Sequence, residues 1–103
     1  MELEQARDIL RAILVTGDPR IKKADTQARA LGLTGRWRIC DIMRHVQIDA
    51  AEVIGCRVDD LDLTRSYHVK VMTDVMIHMA EEEIAAATGS LKSSQSCYLQ
   101  KAL

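Results

Sequence analysis

The sequence predicts an all-α fold of about five helices, packed as a compact bundle with a long C-terminal helix that is expected to form dimers. Three observations carry this. Apolar residues recur at three- and four-residue intervals along most of the chain. Glycines at positions 17, 32, 55 and 89 end those periodic segments. The short β-branched runs at 13–16 and 69–71 lie within helical patterns, so strand signals are poor.

The first helix places Leu3, Ala6, Ile9, Leu10, Ile13 and Leu14 on one side and stops near Gly17. Asp18 followed by Pro19 supplies an N-cap and a first-turn proline for a second helix over 19–31, with Ile21, Ala24, Ala28 and Leu31 inward. Gly32 closes it. Thr34 can cap a third helix through Trp37, Ile39, Cys40, Ile42, Met43 and Val46, and Asp49 a short fourth over 50–54. From about Thr64 to Thr88 there is neither glycine nor proline, which predicts one final helix of roughly 25 residues, about 37 Å long. Val69, Val71, Met72, Val75, Met76, Met79 and Ala80 sweep about half its circumference, wider than the apolar stripe of a surface helix. That width predicts packing on two sides. Residues 1–89 thus read as one helical domain and 90–103 as a serine-rich flexible tail, whose last seven residues, CYLQKAL, could still dock.

Length and composition bound the function. A chain of 103 residues has room for one core, and no apolar run approaches the roughly 20 residues of a membrane span. The acidic, amphipathic start lacks a secretory pattern, so a cytoplasmic location is expected. Cys40, Cys56 and Cys97 are odd in number without C-x-x-C spacing, which suits reduced thiols; Cys97 alone falls in a polar context. Net charge is −1, yet residues 20–47 carry seven basic against two acidic side chains, and residues 49–88 three against nine. A segment of +5 is therefore followed by one of −6.

The stretch DTQARALGLTGRWRICDIMRHV resembles the helix-turn-helix of phage-repressor-type regulators, with a small residue, Ala28, four places before the turn glycine Gly32, and then a basic helix. The resemblance implies a dimeric DNA-binding regulator. Arg36, Arg38, Arg44 and His45 would read the groove and Lys22, Lys23 and Arg29 would touch backbone phosphates. The chain departs from the pattern at Arg38, where such motifs carry an apolar residue. A second match, DAAEVIGCRVDDLDL, keeps the spacing, but its second helix would open with Asp59, Asp60 and Asp62, which phosphates repel. Together the resemblance spans about residues 24–64.

The long helix supports the leading expectation, a small non-enzymatic regulatory protein that acts by binding other proteins as antagonist or adaptor of a regulator or nucleic-acid-binding partner. Val69, Met72, Met76 and Met79 form a flexible apolar stripe suited to accepting partners or a second copy; filling the chain's own core is the plainer role for them. The acidic clusters at 59–62 and 81–83 could mimic phosphate charge. Asp74, His78 and Glu82 stand at i, i+4 and i+8, but one helix cannot enclose an ion, so intrahelical pairing is the expectation and no metal or other cofactor is assigned. No phosphate loop, dinucleotide fingerprint or nucleophile elbow occurs, and no small-molecule substrate is implied.

Overall fold

The structure, a computed structural model, describes residues 2–33 and 39–89. Among them four α-helices follow one another: α1 over Leu3–Val15, α2 over Pro19–Ala30, α3 over Ile39–Ile54 and α4 over Ser66–Thr88, with a 3₁₀ turn at Val58–Asp60 before α4. The all-α class and the long last helix agree with the sequence expectation. The number of helices does not.

The predicted third and fourth helices are one, α3. Asp49 has a capping side chain, but nothing near it breaks the backbone, and the buried stripe Met43, Val46, Ala50 runs across the predicted boundary. An aspartate inside a helix costs less than about 0.7 kcal/mol against alanine, little beside the burial of that stripe. The predicted start of this helix, with Thr34, Arg36, Trp37 and Arg38, lies outside the described residues, as does the tail with Cys97.

The helix ends follow local chemistry. Asp18 accepts from the backbone N–H of Arg20 at 2.9 Å and caps α2 one residue before Pro19. At the other end Gly32 takes φ +70°, a left-handed conformation that a side chain disfavours. This lets the Gly32 and Leu33 N–H groups donate back to the carbonyls of Arg29 and Ala28, at 3.1 and 2.9 Å, and turns Leu33 into the core. Helix α4 begins two residues later than predicted. The Asp62 carboxylate accepts from both the backbone N–H and the hydroxyl of Thr64, at 2.8 and 2.6 Å, holding 62–65 as a turn.

The core sits where α1, α3 and α4 meet. Its largest wholly buried side chains are Ile9 and Ile13 of α1, Met43 and Val46 of α3, and Met72 and Ile77 of α4. Each contributes about 1.5–3 kcal/mol by leaving water. Helix α4 touches all three others, α1 and α3 touch each other, and α2 rests chiefly on α4. Of the half-circumference apolar arc of α4, Val69, Val71 and Met72 are thereby buried, while Val75, Met76, Met79 and Ala80 are half-buried. The width of the arc suits a central helix with neighbours around it. Two polar side chains are buried in α4, and both are satisfied: the Thr73 hydroxyl donates to the Val69 carbonyl at 2.8 Å, and His68 Nδ1 accepts from the Asp62 backbone N–H at 3.0 Å.

Candidate protein-binding groove

Helix α2 is poor in large apolar residues. Ala24 is its buried residue, with Ile21 and Ala28 half-buried beside it. A helix that presents alanines covers less of its neighbours than one that presents leucines, and α2 leans mainly on α4. A cavity of about 1010 Å³ remains between α2, the C-terminal half of α1, the start of α3 and the C-terminal half of α4. That is at the upper end of the roughly 300–1000 Å³ of small-molecule pockets. Its floor is apolar, with Leu10, Ala28, Ile42, Met43 and Met76 among its lining, and Lys22, Asp25, Arg29 and Glu83 stand at its border. Leu14, 51 % exposed, lies on its rim.

Three ion pairs lie at or beside the charged border. The Arg20 guanidinium contacts both Asp18 and Asp74 at 2.6 Å, joining the start of α2 to α4. Hydrogen bonds from the Arg20 side chain and backbone hold the Asp18 carboxyl below the usual carboxylate range, and the two carboxylates push the Arg20 guanidinium pKa up. Further along α2, Arg29 pairs with Asp25 at 2.9 Å. Lys22 and Lys23 are exposed. Such pairs fix register more than they stabilise.

The residues singled out in the sequence fall into three places. Met72 is wholly buried and Val69 nearly so, whereas Met76 and Met79 are half-buried against the same core. Of these four, Met76 lines the groove, together with Lys22 and Arg29 from the basic set. Arg44 and His45 are exposed on α3. Where the second helix-turn-helix match would open its reading helix, the chain forms the 3₁₀ turn and the Asp62 turn instead.

Asp74 is engaged by Arg20, while His78 Nε2 lies 3.0 Å from Glu82, the intrahelical pairing expected. Among the described residues no three histidine, cysteine, aspartate or glutamate side chains cluster in a way that could hold a metal ion. Cys40 and Cys56 are half-buried free thiols. No helix among the described residues is long and apolar enough to cross a membrane.

The groove itself was missed in the sequence. The available signal was the contrast between an alanine-faced α2 and the wide apolar arc of α4. No protein-family model, curated protein or solved structure matches the chain.

Proposed function

We propose that this chain is a small regulatory protein without catalytic activity that binds an amphipathic helix of a partner protein in the groove between α2 and α4. One observation carries the reading: a roomy apolar trough, open along one flank of the bundle and edged by charges of both signs. Met43 and Met76 in its lining are unbranched and polarisable, and adapt to different apolar side chains. The mixed border suits a helix with apolar anchors and flanking charges rather than a polyanion. This reading does not require self-pairing through α4.

Panning a library of random amphipathic peptides on the full chain tests the proposal. The expected result is enrichment of sequences with apolar residues at i, i+3 or i+4, and i+7, whose binding is lost in Leu14→Glu and Ala28→Glu. No enrichment, or binding indifferent to both substitutions, overturns it. The helix-turn-helix alternative predicts a different outcome. Duplex DNA would be retained in a shift assay, more weakly as salt rises and in Arg38→Ala or Arg44→Ala.

A further inference from the structure

We infer that residues 97–103 of the same chain occupy the groove when no partner is bound, and that a partner must displace them. The inference rests on the reading of the groove as a helix-binding site and concerns its regulation. Ala80 and Glu83 of α4 line the groove, and α4 continues only from Glu83 to Gly89, about 9 Å at the helical rise. Gly89, at φ +73°, donates its N–H to the Ala86 carbonyl and directs the chain off the helix axis. The sequence then supplies Ser90 to Ser96 as a polar spacer. Seven residues span at most about 23–25 Å, ample to return over 9 Å.

Beyond the spacer, Tyr98, Leu99, Ala102 and Leu103 stand at i, i+1, i+4 and i+5, which places them together on one side of a helix. They match the groove in kind: an apolar stripe for an apolar trough. Charge matches too. The end of α4 carries Glu81, Glu82 and Glu83 with no basic residue in its last turn, and the segment that would lie beside it brings Lys101, with Lys92 in the spacer. The tether does the rest. A short flexible linker holds its segment at a millimolar effective concentration, so an affinity too weak to detect between separate molecules suffices to fill the groove.

The test uses the full chain with its three cysteines replaced by serine and a nitroxide attached at Ser94→Cys. Amide signals of Leu14, Ala28 and Met76 should broaden several-fold more than that of Val53, at the far end of α3. Adding Leu99→Ser and Leu103→Ser should abolish the difference. Uniform broadening, or broadening indifferent to the two serines, overturns the inference. So does broadening of an isotope-labelled, nitroxide-free chain mixed with a nitroxide-bearing one, which would place the tail in a second copy. Peptides selected on the parent chain should bind the double-serine variant several-fold more tightly, and equal binding removes the regulatory role. Peptide binding without tail broadening would leave the proposed function standing and this inference refuted; tail broadening without any peptide binding would do the reverse.

Discussion

Arg20 and Asp74 lie 54 positions apart in sequence and 2.6 Å apart in space, and their contact is the polar tie between α2 and α4. The same guanidinium holds Asp18, the residue that caps α2. Cap and tie therefore share one side chain. Arg20→Ala should lower the melting temperature by no more than about a few degrees, since both contacts are exposed. Hydrogen exchange should rise more in the first turn of α2 than in α3. Equal change in the two helices would show that the contact does not organise α2.

Acid should reveal the two carboxylates held below their ordinary range. The anion of Asp18 is stabilised by Arg20, and that of Asp62 first by the Thr64 hydroxyl and then by the Thr64 N–H. Each folded pKa is depressed, so the unfolded chain binds protons at higher pH. The stability the two contribute is complete above the ordinary carboxylate value near 4 and is lost as pH falls through the lower folded values. Thermal melts from pH 7 to pH 2 should show a decline below about pH 4 that is shallower in the Asp18→Asn, Asp62→Asn double variant. Parallel curves for variant and parent would contradict the assignment.

Met72 and Leu14 make a contrasting pair of substitutions. Met72 is 0 % exposed, and Met72→Ala should cost about 2–5 kcal/mol, roughly 10 °C or more in melting temperature for a domain of this size. Leu14→Glu, on the rim, should stay within about 0.5 kcal/mol of the parent while altering what the groove accepts. Urea denaturation of both variants decides. A mild Met72→Ala would mean that the core is not centred on α4.

His68 offers a test of a single buried hydrogen bond. It is 4 % exposed, and because Nδ1 accepts from the Asp62 N–H, the neutral ring carries its proton on Nε2. His68→Leu removes the acceptor and should cost about 1–3 kcal/mol for the orphaned N–H. His68→Asn restores an acceptor near the same place and should recover part of the loss. If leucine is tolerated as well as asparagine, water satisfies the Asp62 N–H instead.

The elements that could be foreseen are those set by local chemistry. The Asp18 cap, the ends at Gly17, Gly32, Gly55 and Gly89, and the uninterrupted run of α4 follow from residues near one another in sequence. Reading Asp49 as a cap failed because a tertiary stripe, Met43 to Ala50, outweighed a local preference. The width of the α4 arc was legible, but its meaning was not. An apolar face looks the same in sequence whether α1, α2 and α3 or another chain covers it. The groove was less legible still, since it depends on what α2 leaves uncovered, and no periodicity records a gap.

The central position of α4 bears on how the chain comes to fold. Its contacts with α1 and α2 join the two ends of the described chain, so α1 can meet α3 early but α2 cannot pack on α4 until residue 66 and beyond have been synthesised. At ribosomal rates of about 5–20 residues per second, α2 spends seconds without the helix it packs on. A nascent chain arrested before α4 should be open to protease and to chaperones, and release of the last third should close the bundle in one step.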